Sequence, residues 1–300
     1  MNSIEKALQK KNLEAADKQQ KAETSITPEV EVTQTETSIE KAHKSQAKLA
    51  KSDGIVSNET IIIDFDMLER KGFVSTNSQR QLINEEYRAI KRKLLDNAFG
   101  PLSKSLKNSN VIMVTSSRPG EGKTFTAINL ALSIALEQDK TVLLVDADVL
   151  RPNVMKTLEL ENKQGLMEYL LGEKEDVAEV MCKTNLENFR IITAGKSHHL
   201  STELLASQRM FDAVKEFANR YTDRVVIVDT PPLLGINETA ILANLAGQAI
   251  IVTEEGKAKL VDIENAVKLL NPEMAIGFVV NKSYKGTAES GYGYYYAGGN

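Results

Sequence analysis

The chain has 300 residues, enough for one or two domains, and its 42% hydrophobic content can build a sizeable core. A formal charge of −4 argues against nonspecific nucleic-acid binding as its main work, and no nucleic-acid partner is expected. The single Cys182 excludes an internal disulfide or a cysteine-cluster metal site and suits a reducing cytoplasm; no run approaches the ~20 apolar residues that span a bilayer, and MNSIEKALQKK has no apolar signal core.

Residues 1–58 are rich in Lys, Glu, Gln, Thr and Ser, and no aromatic residue precedes Phe65. Such a segment buries too little apolar surface to offset its ordering entropy, so it reads as a disordered polar arm with transient helices. The pentapeptide SIEKA occurs at 3–7 and again at 38–42, which leaves a docking element open as the sharper reading. From Thr60 the texture changes. Ile61-Ile62-Ile63 reads as a short strand or anchoring patch, and Leu82–Leu95 as a helix with Leu82, Glu86, Ile90 and Leu94 near one face. Glu85, Arg88 and Arg92 lie along another face at spacings that allow i,i+3 and i,i+4 pairing. By itself that is a solvated charged face.

The next stretch, VIMVTSSRPGEGKT at 111–124, organises the chain. An apolar strand, a Gly-containing loop, Gly122-Lys123-Thr124 and an Ala/Leu/Ile-rich helix follow one another in the order of a nucleotide-binding P-loop. Small residues let consecutive backbone N–H groups face phosphates, and the helix N-terminus adds partial positive charge. Ser117, Arg118, Pro119, Gly120, Glu121, Gly122, Lys123, Thr124 and Phe125 are therefore the expected nucleotide-binding residues. Lys123 would reach the β- and γ-phosphates, and the Thr124 hydroxyl would ligate Mg²⁺. The strict G-x-x-x-x-G-K-[ST] pattern wants Gly where this chain has Ser117.

Beyond the loop, strands are expected at 111–115, 141–146, 189–194, 225–229, 248–253 and 276–281. Helices are expected at 124–137, 165–182, 202–221, 238–245 and 260–270. The strands are short continuous β-branched runs, the pattern of strands buried on both faces. Alternation with helices predicts an α/β fold with a doubly wound, mainly parallel sheet, in which ligands bind beyond the carboxyl ends of the strands. Acidic residues stand at those ends: Asp146 and Asp148 after VLLV, and Asp229 after VVIV. Asp229 fits a Walker B role toward Mg²⁺. Of Asp146 and Asp148, one can take a proton from an attacking hydroxyl while the other helps to hold the metal. Asn281-Lys282 closes the last strand and reads either as an adenine contact through Asn281 or as a simple turn.

The last residues read GYGYYYAGGN, placing Tyr292, Tyr294, Tyr295 and Tyr296 among glycines, with Tyr284 upstream. A tail of ~15 residues at ~3.3 Å each can extend about 50 Å, enough to reach a neighbouring active site. Phosphorylating all four tyrosines would add roughly −6 to −8 charge at pH 7. A substrate tail is the reading adopted.

P-loop, twin-Asp strand end, Walker B strand and terminal tyrosines together resemble the bacterial tyrosine kinases (BY-kinases), a P-loop group of the MinD/ParA-like fold. The resemblance covers residues 82–300. The family loop S-x-x-P-G-E-G-K-[ST] accommodates Ser117, and D-x-D is similar to the family's Walker A′ motif. That motif usually has Arg two residues on, where this chain has Leu150, with Arg151 one later. By this resemblance Asp146 is the base toward the tyrosine hydroxyl, and Tyr292, Tyr294, Tyr295 and Tyr296 are acceptors. Glu85-x-x-Arg88-x-x-Lys91 resembles the oligomerisation motif E-x-x-R-x-x-R, with Lys91 in the last place and Arg92 able to substitute. SIEKAL, ASQRM at 206–210 and the tail look most like the tyrosine autokinases of exopolysaccharide loci associated with exosortase/PEP-CTERM systems. The resemblance implies ATP and Mg²⁺, autophosphorylation between subunits of a ring-like homo-oligomer, and control of exopolysaccharide synthesis or export. It also implies a separate membrane polysaccharide co-polymerase that holds the kinase at the inner face of the plasma membrane. The domain plan is then an arm (1–58), a linker with the oligomerisation helix (59–107), a kinase domain (108–283) and an autophosphorylation tail (284–300).

Two other readings share the P-loop. A MinD/ParA-type positioning ATPase typically carries Lys at the second loop position, where this chain has Arg118, and lacks a tyrosine tail. An ATP-gated adaptor without kinase activity would use the tail as a contact patch.

Overall fold

The computed structural model describes residues 60–75 and 82–283. The expected arm and the tail tyrosines fall outside them. The described elements run α1 (Phe65–Arg70), α2 (Leu82–Phe99), a 3₁₀ turn (Pro101–Ser105), β1 (Val111–Ser116), α3 (Lys123–Ala135), β2 (Thr141–Asp146), α4 (Val154–Thr157) and α5 (Leu166–Leu170). A second 3₁₀ turn (Val177–Val180) leads to β3 (Met181–Lys183), β4 (Phe189–Ile192), α6 (Ser201–Leu205), α7 (Gln208–Asn219) and β5 (Arg224–Asp229). Then come α8 (Asn237–Ala243), β6 (Gln248–Glu254), α9 (Leu260–Val267) and β7 (Ala275–Asn281).

The strands form one seven-stranded sheet in the order β3-β4-β2-β5-β1-β6-β7. Every pairing is parallel except β3 with β4. The continuous apolar runs have a simple cause. Val111 and Met113 of β1 enter one core, with Leu143, Val145, Val226 and Val228, while Ile112 and Val114 enter the other, with Val142, Leu144, Val225 and Ile227. Successive side chains of a strand point to opposite faces, and here both faces are covered by helices. Each such side chain, fully buried, stabilises the fold by roughly 1.5–3 kcal/mol.

Two expected helices are broken in the structure. Residues 165–182 give only the short α5, because Gly172 takes a left-handed φ of 81° and Asp176 caps a separate 3₁₀ turn by accepting from the Ala178 N–H. Its end, Met181–Lys183, becomes the antiparallel edge strand β3, which three residues are too few to announce. Residues 202–221 divide at Ser207, whose side chain caps α7 by accepting from the Met210 N–H.

Within 59–107, expected as a linker with an oligomerisation helix, the described segments contribute to the core. Ile61, Ile63, Met67, Leu68, Phe73, Val74, Tyr87 and Leu94 share one hydrophobic cluster with α3. Ile61 bridges in parallel to Thr184, and the Asn185 side chain clips both the N–H and the C=O of Ile63, so the isoleucine patch is an anchor at the β3–β4 turn. The buried face of α2 is Tyr87, Lys91, Leu94 and Ala98, while Leu82 is exposed. Lys91 is therefore buried, while Glu85 and Arg88 of the same expected motif are exposed. Its ammonium is buried, donates to the Ser133 carbonyl (2.9 Å) and pairs with Glu137 at the end of α3. Arg92 is the exposed cation one turn beyond Arg88.

Among the described residues no helix is long and apolar enough to cross a membrane. One polar contact ties the N-terminal layer to α3: buried Asn129 accepts from the Val74 N–H at 2.7 Å and donates to the Phe125 carbonyl at 2.9 Å. Replacing Asn129 by Ala strands the buried Val74 N–H, and urea denaturation should show a loss of about 1–3 kcal/mol.

Candidate active site

The loop between β1 and α3 is held by side chains of its own sequence. The Glu121 carboxylate is buried, accepts from the Ser117 hydroxyl (3.0 Å) and from the Arg118 N–H (2.7 Å), and so closes a ring across the loop. The Ser116 hydroxyl donates to the Arg118 carbonyl at 2.7 Å. A serine at 117 and a glutamate at 121 thus form a matched pair, which explains why Gly is not needed at 117. The glycine that is needed stands at 122. Its φ is 100°, and a Cβ there would lie 1.9 Å from the Asn281 side-chain nitrogen.

The end of β7 clamps this loop from the side. Asn281 donates to the Glu121 carbonyl at 2.9 Å, and Lys282 donates to the Gly120 carbonyl at 2.7 Å while pairing with Glu254 at 3.0 Å. The amide nitrogen of Asn281, expected against an adenine or in a turn, is engaged by the P-loop backbone. Arg118 is held too. Its guanidinium makes two bonds to Asp262 in the first turn of α9, at 2.6 and 3.0 Å. Asp262 was not foreseen. It lies 144 residues away in sequence, and nothing local marks it.

Lys123 opens α3, and its ammonium meets Asp148 at 2.6 Å. Thr124 is buried, and half-buried Phe125 packs its ring against Phe73 with centroids 4.6 Å apart. Parallel pairing of β2 with β5 sets Asp146 directly beside Asp229, and pairing of β1 with β5 sets Val114 on the other side of Asp229. The sheet order therefore gathers Asp146, Asp148 and Asp229 around Lys123. Asp146 accepts three backbone N–H groups, from Asp148 (3.2 Å), Asn153 (3.2 Å) and Val154 (3.1 Å). Asp148 accepts the Arg151 N–H at 3.1 Å. Both aspartates thereby fold the loop 147–154 back over the sheet edge.

Burial governs the electrostatics. It pushes the Asp229 carboxyl well above the ordinary carboxylate range, with Lys123 opposing and Asp146 adding to the rise. Burial likewise raises Asp146, against the pull of its backbone N–H donors. Burial acts on Lys123 in the opposite sense, lowering its pKa, but Asp229, Asp148 and Asp146 together outweigh it and hold the ammonium charged. Neither carboxylate oxygen of Asp229 makes a hydrogen bond of good geometry within the described residues, although the Thr124 hydroxyl is close enough to oppose the rise. A buried, unsatisfied carboxylate next to a buried hydroxyl is a demand for a cation.

Three carboxylates and the Thr124 hydroxyl suit a divalent cation, and the Lys123 ammonium suits phosphates. Yet the described residues hold no group of three or more His, Cys, Asp or Glu with metal-holding geometry. The Thr124 hydroxyl with one or two of these carboxylates suits Mg²⁺, which completes its shell with substrate phosphates and water. In front of Lys123 and Asp148 lies an open cleft of about 540 Å³, walled by Pro119, Leu150, Pro232 and Ile236.

The fold and loop define a P-loop nucleotide-binding domain of the MinD/ParA-like kind. Residues 109–273 match the AAA domain family. The chain is 34% identical over 177 residues to the tyrosine-protein kinase YwqD of Bacillus subtilis, covering 59% of this chain and 70% of that one. It is 37% identical over 139 residues to the tyrosine-protein kinase etk of Escherichia coli K12, covering 46% of this chain but only 19% of the relative. The kinase domain of Escherichia coli ETK superposes with a TM-score of 0.58 at 26% identity, covering 76% of this chain and 92% of that domain. The chain belongs to the bacterial tyrosine kinase (BY-kinase) family of protein-tyrosine kinases.

The isolated position of Asp229 has a measurable consequence. A carboxyl whose folded pKa is raised stabilises the fold below its unfolded pKa, near 4, and that stability is lost as pH rises toward the folded value. Asp229→Asn removes a carboxyl that burial makes costly to ionise in the fold but that ionises freely in the unfolded chain. The nucleotide-free variant should be about 1–3 kcal/mol more stable than wild type at pH 8, with the difference shrinking toward pH 4 in thermal melts.

Proposed function

We propose that the chain is an ATP- and Mg²⁺-dependent protein-tyrosine autokinase that phosphorylates Tyr292, Tyr294, Tyr295 and Tyr296 of its own C-terminal tail. Transfer runs between subunits of a homo-oligomer, expected as a ring. One observation carries this reading: a lysine stands among three strand-end carboxylates, behind a stapled P-loop and at the floor of a cleft open to a second substrate.

In this reading Lys123 holds the β- and γ-phosphates, and Ser117 to Phe125 supply the cradle with the α3 N-terminus behind it. Thr124, Asp148 and Asp229 hold the metal ion, which, when bound, neutralises charge on the transferring phosphoryl group. Asp148, which pairs with Lys123 in this structure, would be shared between that lysine and the ion. The tyrosine oxygen attacks the γ-phosphorus, the bond to the ADP oxygen breaks, and the phenolic proton passes to Asp146. Burial raises the proton affinity of that carboxylate, as a base requires, and three backbone N–H groups hold it in place.

The biological setting is carried over as part of the same proposal. Control of exopolysaccharide synthesis or export, of the exosortase/PEP-CTERM-associated kind, is the process. A separate membrane polysaccharide co-polymerase is the partner, holding the kinase on the cytoplasmic side of the plasma membrane. One similar protein, 32% identical over 139 residues, is named a putative tyrosine-protein kinase in the cps region of Klebsiella pneumoniae, which supports a polysaccharide locus. The exposed Glu85 and Arg88, paired to one another on α2, and Arg92 supply the charged face for subunit contact.

Incubation of the protein with ATP and Mg²⁺, followed by phosphotyrosine mapping by mass spectrometry, tests the reading against a positioning ATPase or an adaptor. Phosphate should appear on the tail tyrosines. ATP turnover without phosphotyrosine, even with membrane fractions present, would overturn it. Lys123→Met should lower phosphotyrosine formation at least ~100-fold with unchanged far-UV circular dichroism. Deletion of residues 291–300 should remove most incorporated phosphate while nucleotide affinity stays at the wild-type value.

A further inference from the structure

The loop after β2 carries more than the two aspartates. Asp146 and Asp148 pin its backbone at Asp148, Arg151, Asn153 and Val154, so its side chains are set by the same bonds that shape the catalytic edge. Leu150 and Arg151 from this loop, and Lys156 from α4, line the cleft that opens onto Lys123 and Asp148. Both cations are exposed, and neither pairs with a carboxylate among the described residues. Elsewhere in the P-loop region cations are neutralised: Arg118 by Asp262, Lys123 by Asp148 and Lys282 by Glu254. Two free cations beside an apolar wall of Leu150 and Ile236 suit an aromatic ring that carries an anion.

The proposed acceptor does not supply that anion at the start. Residues 284–300 contain one lysine and one glutamate, so the side-chain charge of the tail is about zero. After the first transfer it contains a phosphotyrosine, with roughly −1.5 to −2 charge and three strong acceptor oxygens. Guanidinium and ammonium groups bind such phosphates through charge-assisted hydrogen bonds. We propose that Arg151 and Lys156 form a phosphotyrosine-binding subsite at the rim of the catalytic cleft, which holds a phosphorylated tail while a neighbouring tyrosine enters. Spacing supports it: with Tyr292, Tyr294, Tyr295 and Tyr296 within five residues, a bound phosphotyrosine keeps the next acceptor within about 3–13 Å of chain. Held in that way, the tail gains its second and later phosphates without leaving the cleft.

The proposal takes its ligand from the autokinase reading, but its test needs no phosphotransfer. Two synthetic peptides spanning residues 284–300, one unmodified and one phosphorylated at Tyr294, are titrated against the full chain lacking its own residues 291–300, in the presence of Mg-ADP. The phosphopeptide should bind at least about tenfold more tightly. In the Arg151→Ala/Lys156→Ala double variant that ratio should fall to about one, and Arg151→Lys should restore part of it. Equal affinity of both peptides for the wild-type sequence would overturn the subsite. So would a double variant that keeps the ratio but loses Mg-ADP affinity, since that assigns the two cations to the nucleotide. If the phosphopeptide ratio is as expected and no phosphotyrosine forms with ATP, the subsite stands and the autokinase reading fails.

Discussion

The structure depends on one buried charge arrangement, in which the ammonium of Lys123 stands among Asp146, Asp148 and Asp229 at the carboxyl edge of the sheet. Parallel pairing of β2 with β5 puts two carboxylates side by side, a placement that burial makes costly for both. Backbone N–H groups offset it at Asp146, and Lys123 with the Thr124 hydroxyl offsets it at Asp229, while the Lys123 ammonium makes its direct contact with Asp148. Asp229 is left with neither oxygen well bonded. A fold selected for stability alone would place an apolar side chain or an asparagine there. The strain makes sense when a metal ion and a triphosphate supply the missing charges, positive for Asp229 and negative for Lys123. Nucleotide binding then rearranges pairings that already exist, and the apo site holds its lysine in place until phosphates compete for it.

Keeping that lysine in position requires a rigid loop, and the chain obtains it from side chains as well as glycines. Glu121 ties Ser117 to the Arg118 N–H across the loop, Asn281 and Lys282 hold two of its carbonyls, and Asp262 fixes the Arg118 guanidinium. The contacts from outside the loop come from β7 and from the start of α9, elements more than 130 residues downstream. The P-loop is therefore braced by the far end of the domain, and truncation anywhere before residue 282 removes part of the brace.

Much of this was legible in sequence, for identifiable reasons. Strands buried on both faces leave continuous β-branched runs, so six of the seven were placed to within a few residues, and their terminal aspartates followed. The phosphate loop was legible because its chemistry demands particular small residues at fixed spacing. What escaped was set by contacts remote in sequence. Three residues of β3 carry no periodicity, Asp262 has no local mark, and Gly172 and Ser207 interrupt patterns that look helical on either side. The face read through Leu82, Glu86, Ile90 and Leu94 meets the core only toward its end, at Ile90 and Leu94. Steps of four residues drift about 40° each around a helix, so that face starts on the exposed Leu82 and Glu86, whereas Tyr87, Lys91, Leu94 and Ala98 form the buried stripe.

Lys91 shows how one residue can satisfy a motif by spacing and not by direction. At i+6 from Glu85 it sits about 120° around the helix, buried where Glu85 and Arg88 are exposed, and reaches the carboxyl end of α3. There it caps the Ser133 carbonyl and pairs with Glu137, complementing the negative end of the helix dipole. The same helix, α3, begins at Lys123. Lys91 thus anchors the far end of the element whose near end carries the phosphate lysine. Arg92, not Lys91, continues the outward charged face. α2 is thus fastened through Lys91 to the helix that positions the active site.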